Sequence, residues 1–157
     1  MGTTFFREAA MIAIKRILWP TDFSTLSYKA LPEANEWALH FSAELLVVHV
    51  LTPVPVVHPS ATPVNVPLYQ MELRKSAQEA LQSLIDEKIS KKVKTRSFLE
   101  EGNPSSRIVH IAEKEKADLI IMSTHGQTGW RRFVTGSVTE NVIRQACCRV
   151  MIVAAEG

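Results

Sequence analysis

The chain has 157 residues, 46% of them apolar, with 18 Lys and Arg against 16 Asp and Glu for a formal charge of +2. That length suits one domain of roughly 150 residues and removes roughly 68–70% of the unfolded surface from water without staples. The balance excludes whole-chain disorder and a dedicated basic nucleic-acid binder, and no apolar run nears the roughly 18 residues that cross a bilayer.

Residues 1–13 read as an N-terminal tail and 14–157 as a single domain. Met1–Ala13 has no basic segment leading into an apolar stretch, so no export signal is expected, and Phe6 stands where N-myristoylation wants Ser or Thr. Cys147 and Cys148, adjacent, are the only cysteines. They form neither a disulfide framework nor a Cys-x-x-Cys zinc site, and a reducing, cytoplasmic setting is expected.

The first apolar run, Lys15–Trp19, predicts a strand. Leu26, Ala30, Ala34, Trp37 and Phe41 then recur at helical spacing, with the Trp and Phe expected in the core. Pro32 either kinks that helix or makes Thr25–Leu31 a separate turn. Glu44–Leu51, nearly continuous apolar, predicts a strand buried on both faces. Residues 52–68 carry Pro53, Pro55, Pro59, Pro63 and Pro67, a spacing that predicts a loop.

Leu73, Ala77, Ala80, Leu81, Leu84 and Ile85 mark the next helix, and Val93–Glu100 alternates as a strand nearer an edge does. Asn103-Pro104 supplies an N-cap and a first-turn proline for the helix striped by Ile108, Ile111 and Ala112. Asp118–Ser123 is another buried strand. Ser137 and Glu140 form a capping box that opens a helix with Val138, Val142 and Ile143, and Arg149–Ala154 is the last strand. The alternation predicts an α/β fold, an open five-stranded parallel sheet with helices on both faces.

Ligands of such sheets bind beyond the carboxyl ends of the strands, where the winding reverses. Strand one ends in Pro20-Thr21-Asp22-Phe23-Ser24, strand two in His49-Val50-Leu51 and strand four in Met122-Ser123-Thr124-His125-Gly126. Gly126-Gln127-Thr128-Gly129, Arg131, Arg132 and Gly136-Ser137 at a helix start are the parts of a phosphate cradle: amides unhindered by a Cβ, helix-end donors, a hydroxyl and two cations. They match neither a Walker A loop nor Gly-x-Gly-x-x-Gly. Turn glycines and a simple helix cap explain the same residues. Asp22 also suits a turn, and His49 and His125 suit structural hydrogen bonds.

Pro20–Ser24, Gly102-Asn103-Pro104, Ala117–Met122 and Ser123-Thr124-His125-Gly126 followed by Gly136-Ser137 together resemble the universal stress protein family over about residues 14–154. The family's ATP-binding marker, Gly-x2-Gly-x9-Gly-Ser/Thr, places its later glycines on Gly126 and Gly136 and its hydroxyl on Ser137; its first glycine falls on Ser123. A position needing positive φ would penalise serine, whereas one needing only a small side chain accepts it.

The resemblance implies a Rossmann-like sheet of the adenine nucleotide alpha-hydrolase-like type that binds ATP, with Mg²⁺ offsetting phosphate charge. It places Pro20, Thr21 and Asp22 toward the ribose or metal region and the Val50 backbone against adenine. Met122, Ser123, Thr124, His125, Gly126, Gln127, Thr128, Gly136, Ser137 and Val138 then surround ribose and phosphates. It implies a nucleotide-dependent stress or signalling protein with slow or no hydrolysis. A weak ATP hydrolase and an interaction module without nucleotide are the competing readings. No nucleic-acid or membrane partner is expected. Strand 149–154, an apolar edge, predicts antiparallel pairing into a homodimer, which the resemblance also implies.

Overall fold

The computed structural model describes residues 13–53, 66–124 and 137–154. Their elements alternate in chain order: β1 (Arg16–Pro20), α1 (Thr25–Tyr28), α2 (Leu31–Phe41), β2 (Glu44–Leu51), α3 (Val66–Lys88), β3 (Thr95–Glu101), α4 (Pro104–Lys114), β4 (Leu119–Thr124), α5 (Ser137–Gln145) and β5 (Arg149–Ala154). The five strands form one sheet in the order β3-β2-β1-β4-β5, and every pairing is parallel.

Period-2 alternation divides the sheet between two cores. Ile17, Trp19, Leu45, Val47, Leu119 and Ile121 face α2 and α3 through Ala34, Ala38, Leu81 and Leu84. Leu18, Leu46, Val48, Ile120 and Met122 face α4 and α5 through Ile108, Ile111 and Val142. Both faces are therefore apolar, which is why the central strands read as unbroken apolar runs. Side chains as fully buried as Trp19, Leu46 and Ile120 contribute about 1.5–3 kcal/mol each. β3 lies at the edge, as its alternation predicts, and so does β5.

Several expectations need correction. β1, β3 and β4 each begin one or two residues later than the apolar runs. Before β4, Asp118 instead turns its carboxylate to the amides of Lys15 and Arg16, at 2.8 and 2.9 Å. Around Pro32 the separate-turn alternative holds: α1 is a single turn, and α2 starts at Leu31 with the proline in its first turn. Of the aromatic pair on α2, Trp37 is half-buried and Phe41 is 36% exposed, since α2 ends there.

The proline-rich loop also ends earlier than its composition suggests. α3 begins at Val66 and takes Pro67 into its first turn, where a missing N–H removes no helical hydrogen bond. Residues 54–65 lie outside the described residues, as does the tail at 1–12. Along α3, Leu73 and Ala80 prove exposed, and the buried stripe is Ala77, Leu81 and Leu84. Asn103 caps α4 as expected, accepting from the Ser106 amide at 3.1 Å. The Ser137–Glu140 box does not form: α5 takes Ser137 as its first residue and Glu140 pairs forward with Arg144 at 2.7 Å.

At the amino end of the sheet, Glu44 is half-buried among Lys94 at 2.9 Å, Arg96 at 3.2 Å and Arg16 at 3.7 Å, which ties β1, β2 and β3 together. The carboxyl end carries no such cross-strand ties among the described residues. It opens instead into a cleft.

Candidate functional site

The cleft has a volume of about 300 Å³ and sits where β1 and β4, neighbours in the sheet, diverge to helices on opposite faces. Pro20, Thr21, Asp22, Ser24, Leu26 and Ser27 form one wall, Val48 and Val50 of β2 with Thr52 just after it the floor, and Pro104, Ile108, Met122, Ser123, Val138 and Thr139 the opposite wall. Its surface is thus mainly aliphatic, with polar groups densest on the wall that carries Asp22, the composition that small-molecule sites share.

The ladder pattern determines what β2 presents there. The Glu44 amide donates to Lys15 and the Val48 carbonyl accepts from Thr21, so even-numbered residues of β2 turn their backbone groups toward β1. The Leu45 amide donates to Lys94 and the Leu51 carbonyl accepts from Gly102, so odd-numbered residues turn theirs toward β3. β1 ends its register at Pro20 opposite Val48. The N–H and C=O of Val50 therefore point, side by side, into the space that β1 has left. Together they offer one donor and one acceptor to a planar ligand.

Opposite them stands the turn that follows β1. Its Thr21 side chain is buried, accepting from the Phe23 amide at 3.0 Å and lying 2.9 Å from the Ser27 hydroxyl. Asp22 Oδ1 accepts from the Ser24 amide at 3.0 Å and from the Ser24 hydroxyl at 2.5 Å. Partial burial pushes the Asp22 carboxyl up, but these hydrogen bonds, with one from Ser27, outweigh it and hold its pKa below the ordinary 3.8. Asp22 is thus an ionised acceptor at neutral pH. Ser24 also caps α1, accepting from the Ser27 amide at 3.1 Å.

Of the residues singled out by the sequence, Pro20, Thr21, Asp22, Val50, Met122, Ser123 and Val138 come together around this cleft. Thr124 and Ser137 do not line it. His125, Gly126, Gln127, Thr128 and Gly136 lie outside the described residues. Ser123 is extended within β4, paired with Val153, and is not among the described residues of positive φ. The small-side-chain alternative therefore applies to it. His49 is half-buried with Nδ1 2.8 Å from the Thr21 carbonyl oxygen, a satisfied histidine.

Sequence reasoning missed Ser24, Leu26, Ser27, Val48, Thr52, Pro104, Ile108 and Thr139. Ser24, just before α1, and Ser27, three residues on within it, carried a cap signal that could have found them. Ile108 and Thr139 had none, since each sits in a helical pattern that reads as core or cap. Among the described residues no three His, Cys, Asp or Glu side chains group as a metal site, and no helix is long and apolar enough to cross a membrane.

A model of the universal stress protein family matches residues 13–154. The chain belongs to the universal stress protein family. It is 39% identical over 139 residues to universal stress protein MJ0531 of Methanocaldococcus jannaschii, an alignment spanning 88% of this chain and 81% of that protein. The solved structure of MJ0577, from the same archaeon, matches with a TM-score of 0.72 at 29% identity, over 92% of this chain and 99% of that one. A universal stress protein solved in complex with cAMP shares the fold at a TM-score of 0.60 and 22% identity, over 92% of this chain and 99% of that chain. The Rossmann-like α/β architecture expected from the sequence is thus the family's own.

Proposed function

We propose that the cleft binds an adenine nucleotide, ATP in the first place, and that this universal stress protein is a nucleotide-dependent stress-response or signalling protein. The observation that carries the reading is the N–H and C=O of Val50, without a backbone partner among the described residues, on an aliphatic floor facing an ionised Asp22 across the cleft. Adenine presents an acceptor and a donor side by side at N1 and N6, the complement of one strand residue's exposed edge. A carboxylate held as acceptor suits ribose hydroxyls. The cAMP complex of a relative of the same fold supports an adenine ligand.

Mg²⁺ fits as the nucleotide's companion. One carboxylate plus phosphate oxygens is its common ligand set, and Asp22 is the one carboxylate lining the cleft among the described residues. The ion would offset phosphate charge. Hydrolysis is slow or absent in this reading, because a carboxylate of lowered pKa is a poor general base for water. The interaction-module alternative drew on Ser123, whose extended backbone in β4 puts no strain on a serine and so suits the nucleotide reading as well.

The protein acts as a homodimer in the reducing cytoplasm in this proposal. Among the described residues β5 pairs with β4 alone, so its outer edge offers itself to antiparallel pairing with a second copy. A monomer in sedimentation at micromolar concentration counts against the dimer. The test of the ligand is acid release of bound small molecules followed by chromatography, with calorimetry of ATP and AMP with and without magnesium. ATP in the extract and a saturable isotherm are expected. An empty extract with no heat from any adenine nucleotide refutes the proposal.

A further inference from the structure

On the face of β2 opposite Val48 and Val50, His49 lies behind the turn that carries Asp22. A carbonyl oxygen only accepts, so the 2.8 Å contact with Thr21 places the proton on Nδ1. The imidazole also stacks on Phe23, with ring centroids 4.2 Å apart at 32°. Phe23 has φ 62°, a left-handed conformation that is a genuine outlier for a bulky side chain. The other described non-glycine residues of positive φ, Ser42 and Lys116, each follow the end of a helix, where that conformation is common. Phe23 has no such excuse. Its neighbours Asp22 and Ser24 line the cleft, and His49 does not.

We propose that His49 is a positioning residue. By donating to the Thr21 carbonyl and stacking on Phe23 it holds the turn in the strained geometry that aims the Asp22 carboxylate at the sugar of the bound nucleotide. This inference rests on the adenine-nucleotide reading of the cleft. Bonds internal to the turn close it on itself, whereas its anchors to the sheet ahead of Phe23 are the Thr21 amide on the Val48 carbonyl, at 2.8 Å, and His49; beyond Phe23 the Trp19 indole donates to the Ser27 carbonyl at 3.2 Å, and the Phe23 ring packs against the core. Removing His49 leaves one anchor on the near side of the strain. The turn can then relax toward negative φ at Phe23 and swing Asp22 away.

Two variants separate the two contacts. His49→Phe keeps the ring and loses the donor, and His49→Asn offers an amide nitrogen near the place of Nδ1 and loses the ring. Amide exchange at Phe23 and Ser24 in the ligand-free protein should accelerate about tenfold in His49→Phe, with the β2–β3 ladder unchanged. AMP affinity should fall about five- to tenfold, as for one net hydrogen bond, but by less than about twofold when Asp22→Ala has removed the carboxylate to be aimed. His49→Asn should recover part of both effects. Unchanged exchange at residues 23 and 24, or an equal loss of affinity in both backgrounds, overturns the proposal. Exchange is read without ligand, so it tests the hold of His49 on the turn even where AMP fails to bind; the nucleotide reading itself falls only where no adenine nucleotide, ATP included, binds.

Discussion

Replacing adenine by hypoxanthine is the sharpest test of the Val50 edge. The perturbation changes the ligand and not the protein. AMP and IMP share ribose, phosphate and ring shape, so the aliphatic contacts with Val48, Ile108, Met122 and Val138 are common to both. At the six-membered ring's edge the pattern inverts: N1 accepts and N6 donates in adenine, whereas N1 donates and O6 accepts in hypoxanthine. Against Val50, IMP sets donor against donor and acceptor against acceptor. Each lost hydrogen bond costs about 0.5–1.5 kcal/mol net, and a backbone group left dry and unpaired costs about 1–3 kcal/mol. Partial solvation of an open cleft favours the lower figures, so two groups together cost about 2–3 kcal/mol. The corresponding affinity ratio is roughly 30- to 140-fold in favour of AMP. Calorimetric titration of one protein preparation with the two nucleotides measures it directly. If IMP binds within about threefold of AMP, the free backbone pair of Val50 does not read the base.

Three further outcomes follow from named groups. The Asp22 pKa is depressed in the folded protein, so its stabilising contribution is complete above the unfolded value near 3.8 and is lost as pH falls below it. Carboxyl NMR should place its midpoint below 3.8, and a midpoint at or above the ordinary aspartate value refutes the hydrogen-bond argument. Ser42 and Lys116 hold φ of 51° and 52° at the ends of α2 and α4, so Ser42→Gly and Lys116→Gly should each stabilise by about 0.5–1 kcal/mol, read as roughly 1–4 °C in Tm by calorimetry. Burial pushes the Cys148 thiol up to about 11, which leaves roughly one molecule in a thousand as thiolate at pH 8, so mass spectrometry after brief alkylation should find exposed Cys147 modified first.

Much of the fold was legible because burial writes directly into residue type. Leu45-Leu46-Val47-Val48 and Leu119-Ile120-Ile121-Met122 are apolar on both faces because helices cover both, and β3, at the edge, alternates. Element starts were less legible, because Pro67 and Pro32 read as breakers unless the first helical turn is already known. For the cleft, residues at strand ends could be read, since topology alone brings strand ends together. Ile108 and Thr139 could not. A helix residue facing a cavity and one facing a core carry the same periodic signal, and only packing separates them.

The cleft and its support share one origin, a mismatch of strand lengths. β1 has 5 residues and β2 has 8, so His49, Val50 and Leu51 run on past the last paired residue of β1. β3 accompanies β2 to Leu51 and takes up the backbone groups of His49 and Leu51, which leaves those of Val50 without a strand partner. The same alternation that turns the Val50 backbone into the cleft turns the His49 side chain to the other face, beneath the turn β1 makes on leaving the sheet. One period-2 rule thus yields a recognition edge and the brace behind its opposing wall. Lengthening β1 by two residues would pair Val50 and remove both together. The site is therefore a property of where β1 stops: the Thr21 amide, next after Pro20, makes the last of its bonds to β2, on the Val48 carbonyl, and the chain then turns away.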